Sequence, residues 1–543
     1  MMQSFYKTWI LIIFIILLAG GIFLGYQYLV NSKQNNEETG QMNIAAGVVP
    51  HHLLAEDIIQ DFFDYISLDG EPETIILLSP DHFKVGGSEF ITEPSPALKI
   101  DHGITNLIPF IQEYFPAALI KPFIIPQDIS LEKAAQFAVS LDSQSSQNTV
   151  VVASVDFSHY LPVSAAQFHD VKSIRTLINF EEENFENIEV DSWQALYIAR
   201  LFAKLRNSEY PKVIAHKNAN DFLENGEEVT SYFSLVFEKG DFAEEKGKTI
   251  LFLGDIMLDR GVGYFMKKNS AFYPLERISQ FLKGIDVVFG NLEGPIIENP
   301  PYFSDESLKF AFSPQALKTL SFGNFNLVSL ANNHTFDLVE AGLQETKELL
   351  TEASINFVGH PIQCDRDVSF KQNDVIFLAF NKTYPFNCSN EEIVEIVKKE
   401  KNLNLDKFLI VIFHWGEEYY PKSLISQQEL AQQTIEAGAD LIIGSHSHIV
   451  QEIEEYQGKL IFYSLGNFIF DQYFSTETQQ GLVVGLELQP ARAIFRLFPI
   501  QSHLSQPFLM NKETTEDFLE KLAQKSSQCL SAGIEKGIIE LSL

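Results

Sequence analysis

The strongest constraint on the fold of this chain is a pattern that recurs through its second half. Short apolar runs, "TILFLGD", "IDVVFGNLEG", "FNLVSLANNH", "DVIFLAFNK", "FLIVIFHWGEE", "ADLIIGSHSH" and "LIFYSLGNF", alternate with amphipathic stretches such as "PQALKTLSF" and "SQQELAQQTIEAG". Near-continuous apolar runs of this length suit strands buried on both faces, and their alternation with helical patterns predicts β-α units around a largely parallel sheet. Open α/β sheets keep their sites at the carboxyl ends of the strands. Five of the runs end there in an acidic or metal-competent group: Asp255, Glu293, Asn333 with His334, His414, and His446 with His448. One such ending is an ordinary loop residue. Five converge on a site.

Taken singly, each motif has a structural reading. "GNLEG" makes a tight turn, "ANNH" caps a helix, and "HWGEEY" supplies a core tryptophan beside a hydrogen-bonded histidine. Taken together they form a donor set of oxygens and imidazoles without thiolate. Such a set suits divalent Mn, Fe or Zn, held in pairs that a carboxylate can bridge, and the chemistry it favours is hydrolysis. The charge balance narrows the partners. With 39 Lys and Arg against 72 Asp and Glu, the net charge is −33. Nucleic acid is excluded as a partner, and an anionic substrate needs a local cation such as a bound metal. Three cysteines, Cys364, Cys388 and Cys529, include no C-x-x-C pair, so neither a disulfide framework nor a thiolate zinc site is expected.

Thr8 to Val30 carries no charged residue, which is enough length to span a bilayer. Lys7 precedes it and Glu37 and Glu38 follow, a difference that favours a cytoplasmic N-terminus. The expectation is a single-pass membrane anchor at 1–30, a polar linker at 31–47, and the bulk of the chain extracytoplasmic. The charged stretch "FEKGDFAEEKGK" then divides the remainder into 48–240 and 248–503. The tail, 504–543, is expected to be helical, with Thr514 or Thr515 as cap and Phe518, Leu519 and Leu522 at helical spacing.

The first of these regions repeats the strand-end pattern. "GVVPHH" ends at His51 and His52, "TIILLSPDHF" contains His82, and "TVVVASVDFSHY" ends near His159. Three strand-end histidines suggest a pocket, of the imidazole type that non-haem iron uses.

"GDIMLDR", "GNLEGP", "LANNHTFD", "FHWGEEY", "GSHSHIVQ" and "YSLGNFIFD" occur in the order of the CapA family of poly-γ-glutamate capsule synthesis proteins, which residues 248–503 resemble. The resemblance implies a calcineurin-like metallophosphoesterase fold, an α/β sandwich. It implies metal ligation by Asp255, Glu293, Asn333, His414, His446 and His448, with Asp255 bridging and also catalytic. It gives His334 the role of stabilising the leaving group or the developing anion, and makes Arg260 and Asn467 candidates for orienting an anion, with a structural ion pair as the other reading of Arg260. Met257 departs from the general phosphoesterase pattern, which has a histidine there, and a thioether is a poor ligand for a hard ion. Residues 48–240 resemble the Memo family, similar in fold to LigB-type dioxygenases, through "GVVPHH", "LLSPDHF", "IDHGI", "LIPF" and "VASVDFSHY". That resemblance implies an α/β domain with His51, His82 and His159 as metal ligands, His102 as a pocket residue, and Asp191 or Ser192 where Memo proteins have a cysteine; Asp191 beside the histidines would complete a metal site, and a non-catalytic binding module is the other reading. Iron is the metal it suggests.

The functional expectation is a membrane-anchored CapA-like protein of capsule or poly-γ-glutamate biosynthesis with a metal-dependent hydrolase-type site, phosphoesterase-like or amide-cleaving. Its partners would be a cell-envelope polymer or the synthase and export machinery. Two alternatives stay open: a non-catalytic accessory factor, and a metal oxidoreductase seated in the Memo-like domain.

Overall fold

The computed structural model describes residues 42–223, 228–303, 307–383 and 388–543. The chain divides into two compact units between Glu245 and Lys246.

In the first unit, β1 (Ala46–Val49), β2 (Thr74–Pro80), β3 (Leu119–Ile125), β4 (Thr149–Ser154), β5 (Tyr210–Asn218) and β6 (Ser231–Glu238) form one sheet in the order β3-β2-β4-β1-β6-β5. The first four are mutually parallel, and the antiparallel hairpin β5-β6 joins the edge of β1. Successive side chains of a strand face opposite sides. In β4, Val150 and Val152 therefore join one apolar cluster, with Phe62 and Phe63 of the helix Glu56–Asp69. Val151 and Ala153 join the other, with Leu196 and Phe202 of the helix Trp193–Leu205. The run "TVVVAS" is apolar throughout because helices cover both faces. The unit takes in residues ahead of the expected boundary at 48: Met42 and Ile44 are buried, and Asp69 accepts the N–H groups of Asn43 and Ile44.

The second unit is built from β7 (Lys248–Ile256), β8 (Val287–Leu292), β9 (Leu327–Ser329), β10 (Asn356–Val358), β11 (Ser369–Gln372), β12 (Val375–Asn381), β13 (Phe408–His414), β14 (Leu441–Ser445), β15 (Ile453–Tyr456), β16 (Lys459–Phe462), β17 (Asn467–Ile469), β18 (Gln480–Gln489), β19 (Arg492–His503), β20 (Gln506–Leu509) and β21 (Ile538–Ser542). One sheet runs β10-β9-β8-β7-β18-β19-β20, with β17 beside β7 and β21 beside β19; the other runs β11-β12-β13-β14-β16-β15. Their inner faces share one core, in which Phe289 stacks on Phe377 and Phe462 lies against Phe495. Alternation again decides the facing: Ile410 and Ile412 enter this core, while Leu409, Val411 and Phe413 pack under the helices Asn390–Leu403 and Ile425–Glu436.

The structure corrects several expectations. Both sheets of the second unit are mixed rather than largely parallel: β18, β19, β20 and β21 pair antiparallel, as do the edge strands β11 and β15. Among the described residues no helix is long and apolar enough to cross a membrane. The longest described helix, Val163–Asn179, has 17 residues and contains Asp170, Lys172 and Arg175, whereas a span needs about 20 predominantly apolar ones. The stretch expected to be an anchor, 8–30, lies outside the described residues. The single-pass, extracytoplasmic placement rested on that stretch and finds no support among the described residues. Cys364 and Cys388 are joined in a disulfide, and Cys529 is free. In the tail Asn511, not a threonine, caps the helix Lys512–Lys525, and the chain then returns as β21 to pair with β19. Leu519 and Leu522 do face the core.

Candidate functional site

β7, β8 and β9 in one sheet and β13 and β14 in the other end at the same edge of the second unit, and their terminal residues meet there. Asp255 is the penultimate residue of β7, Asn291 lies opposite it in β8, and Glu293 follows β8. All three are buried. One donor atom each from Asp255, Glu293 and His448 lie within 4.8 Å of one another. His414, which ends β13, lies with its ring centroid 4.6 Å from that of His446, and its Nε2 is 2.7 Å from Oδ1 of Asn333. Every residue expected to hold metal in this unit is brought to this edge.

Backbone geometry explains how one short turn presents two imidazoles. After β14 the chain enters the left-handed region at both His446 (φ 92°) and His448 (φ 58°), a conformation that non-glycine residues seldom adopt. The main-chain N–H of His446 donates to Asp255 (3.3 Å), and His448 Nδ1 stands 3.2 Å from the same carboxylate. Gly444, just before the turn, is required by close approach: a Cβ there would lie 2.0 Å from the carbonyl oxygen of Tyr463. Gly254 has the same role on β7, where a Cβ would meet the carbonyl of Gly466 at 1.8 Å. This contact lets β17 lie against β7 and deliver Asn467 to His448, at 3.0 Å. "LIFYSLGNF" is thus two strands, β16 in one sheet and β17 in the other, with the positive-φ Gly466 between them.

The electrostatics fit a cation. Burial and then the adjacent Asp255 push the Glu293 carboxyl well above its usual range. Burial acts in the same sense on Asp255, but His448 and Asn291 hold it below the ordinary value. Asn291 Nδ2 donates to both carboxylates, at 2.8 and 3.2 Å, and Oε2 of Glu293 is buried without a partner. Burial, reinforced by the neighbouring imidazoles, pushes His446 down to about 3 and His414 well below its usual value. Two buried carboxylates that cannot both ionise alone, an orphaned carboxylate oxygen and neutral imidazoles are what a divalent ion requires.

Around this cluster stands a second tier of residues. Arg260 takes the structural of its two readings, an ion pair: Nε and Nη2 bind Asp471, and its guanidinium lies over Phe310. His334 is positioned by Asp337, whose Oδ2 lies 3.0 Å from Nδ1, and by Phe310, whose ring lies against it with centroids 4.3 Å apart. Met257 is fully buried, and its sulfur accepts the N–H of Asp259. It packs and caps, and takes no part in the donor cluster. Asp337 and Asp471 were missed, although they end the quoted "LANNHTFD" and "YSLGNFIFD", and Asp337 stands three residues beyond His334 in the same turn.

The first unit gathers a second cluster at the ends of β1, β2 and β4. His51, His82 and His102 each offer a donor to one group, and His51, Asp156 and Asp191 form another that shares His51. The imidazole that joins His51 and His82 is therefore His102, expected only to line the pocket; the His82 and His102 ring centroids are 3.7 Å apart, the planes tilted by 36°. His159 lies outside both groups, with burial lowering its pKa. His51 Nε2 is 3.5 Å from Asp156 and 3.6 Å from Asp191. Asp156, unrecognised in the sequence, lies three residues before His159 in "VDFSHY". Burial and then Asp156 raise Asp191 well above its usual range, and burial with His82 and His102 takes His51 down to about 3. Asp101 orients His82 at 3.0 Å.

Residues 249–472 match the family described as Bacterial capsule synthesis protein PGA_cap. The chain is 30% identical over 288 residues to the capsule biosynthesis protein CapA of Bacillus anthracis, covering 49% of this chain and 70% of that protein. It is 29% identical over 282 residues to the PGA biosynthesis protein CapA of Bacillus subtilis, covering 48% and 74%. The N-terminal part is similar to MEMO1 family proteins, among them one from Caldivirga maquilingensis at 23% identity over 257 residues, covering 40% of this chain and 89% of that protein. With the motif residues of its second unit gathered at one sheet edge, the chain belongs to the CapA family of bacterial capsule synthesis proteins.

Proposed function

We propose that the second unit is a metal-dependent hydrolase-type centre acting in the biosynthesis of a cell-envelope polymer. The observation that supports this most is the buried convergence of Asp255, Glu293 and His448 with the orphaned Oε2 of Glu293. Asp255, Glu293, Asn333, His414, His446 and His448 would hold one or two divalent ions, of Mn, Fe or Zn. Such an ion supplies Lewis-acid chemistry, acidifying water and polarising the group under attack. This chain's own residues do the rest. Asn291 holds the two carboxylates apart and in register, Asn467 fixes the ring of His448, and Asp337 keeps the His334 imidazole aimed so that it can give a proton to a leaving group. The pairing of Arg260 with Asp471 makes it a wall of the site. The polymer, or the synthase and export machinery that handles it, is the partner this reading assigns.

The first unit supports a second reading beside this one. Its histidines and the Asp156 and Asp191 pair would hold an ion of their own, and the carboxylate-imidazole donor set favours iron.

The test is metal analysis of the whole chain beside a His446→Ala, His448→Ala variant, with assays on bis-p-nitrophenyl phosphate and poly-γ-glutamate. The expected result is loss of one or two metal equivalents together with hydrolysis of at least one substrate, and retention of metal bound by the first unit. Unchanged metal content and no turnover by either protein would replace this reading with that of an accessory factor.

A further inference from the structure

The edge of the second unit opposite the metal-ligand cluster is built differently. Lys248, Val375, Phe408 and Lys459 open β7, β12, β13 and β16, and Leu488 and Gln489 close the antiparallel β18. Between these strand ends lies a cavity of about 580 Å³, lined only by residues of the second unit. That volume suits a small ligand. β13 runs from Phe408 on this cavity to His414 in the cluster, and its seven residues put the two about 20 Å apart.

Charge marks the cavity out. The chain carries 72 acidic residues against 39 Lys and Arg, yet the side chains lining this cavity include five lysines and three aspartates. Asp440 accepts from Lys401 at 2.7 Å, from Lys459 at 3.0 Å and from the N–H of Leu409 at 2.9 Å, so one carboxylate offsets two fixed ammoniums. Lys401 also donates to the carbonyl of Lys407, at 2.9 Å. The other two carboxylates, Asp374 and Asp406, are exposed. Among the described residues the ammoniums of Lys246 and Lys407 make no hydrogen bond or ion pair, although both line the cavity.

The donor type selects the ligand. A lysine ammonium is a compact point charge that suits a phosphate, whereas a planar carboxylate is matched best by an arginine fork, and no arginine lines this cavity. Val375, Phe408, Leu488 and Pro490 add apolar surface for the body that carries the anion.

We propose that this cavity is a second ligand site, for a small organic phosphate, bound by the ammoniums of Lys246, Lys401, Lys407 and Lys459. It stands apart from the metal-ligand cluster and does not depend on the chemistry assigned there.

The experiment is calorimetric titration of the whole, metal-loaded chain with phenylphosphonate, whose P–C bond resists hydrolysis, and with phenylsuccinate, which carries its charge on two carboxylates instead. Phenylphosphonate is expected to bind more tightly. One equivalent should bind independently of the metal centre and persist in His446→Ala, His448→Ala. Its Kd should rise at least tenfold in Lys246→Ala, Lys407→Ala, with the thermal midpoint unchanged because neither ammonium holds a partner. In Lys246→Arg, Lys407→Arg, which restores the charge, the Kd should return to within about threefold of the original. No phenylphosphonate binding outside the metal centre, phenylsuccinate binding as tightly, or a Kd indifferent to loss of both ammoniums would overturn the proposal.

Discussion

A proton stands where the structure asks for a cation. Asp255 and Glu293 share a buried space in which only one carboxylate readily ionises, and the pKa of Glu293 is the one raised. Metal uptake must therefore displace that proton, whereas His446 and His414, with lowered pKa values, are already neutral and release none. At a pH above the ordinary carboxylate range but below the raised value, calorimetry in buffers of different ionisation enthalpy should show about one proton released per site filled. Affinity should rise with pH across that interval, and Glu293→Gln should abolish the release. A binding enthalpy indifferent to buffer at every pH would refute the coupling. His334 offers a separate test. Its Nδ1 meets Asp337, and it is not in the buried donor triad. In Asp337→Asn the imidazole loses the acceptor that fixes its tautomer, so kcat is expected to fall about 10–100-fold with metal content unchanged. Equal loss of metal and activity would instead make Asp337 a structural support of the whole cluster.

The elements that carry these residues are legible in the sequence to different degrees. Runs such as "FLIVIFH" and "ADLIIGS" announce β13 and β14 because both faces of each strand are covered, which leaves no polar position to blur the pattern. The site residues beyond those strands are legible for the same reason: a histidine after such a run has only the sheet edge to occupy. What sequence patterning could not show is set by contacts between distant segments. The split of "LIFYSLGNF" into β16 and β17 depends on the close passage of Gly254 and Gly466, about 210 residues apart. The Cys364–Cys388 disulfide closes across β11 and β12 without any characteristic spacing. The Arg260–Asp471 pair likewise joins two sheet-edge loops that no local pattern connects. Gly444 tests how tightly an element fixes the site. An alanine Cβ would stand 2.0 Å from the Tyr463 carbonyl and 2.6 Å from the Trp415 indole nitrogen, two groups already hydrogen-bonded to each other. β14 must then separate from β16, at a cost of about 1–3 kcal/mol or more. Gly444→Ala is expected to lower the thermal midpoint and to weaken metal binding, because His446 and His448 follow directly. Retention of both at wild-type levels would mean the turn is not set by that strand.

At the scale of the molecule, charge decides what can approach. The net charge of −33 repels any polyanion at long range, and salt screens that repulsion over a Debye length of about 10 Å at 0.1 M. A basic groove that gathers a polyanion by counterion release weakens by about 10³-fold or more between 50 and 200 mM salt. This chain should behave in the opposite sense. With its metal sites saturated, association with poly-γ-glutamate is expected to be weak at low ionic strength and to tighten as salt rises, while association with a neutral glycan stays flat. Titrating both probes across that salt range separates the two kinds of recognition. Polyglutamate binding that weakens steeply with salt would locate a basic track strong enough to outweigh the whole-chain field. A flat or rising response would leave the metal centre as the group that selects the ligand, with the field of the chain acting only to keep other polyanions away.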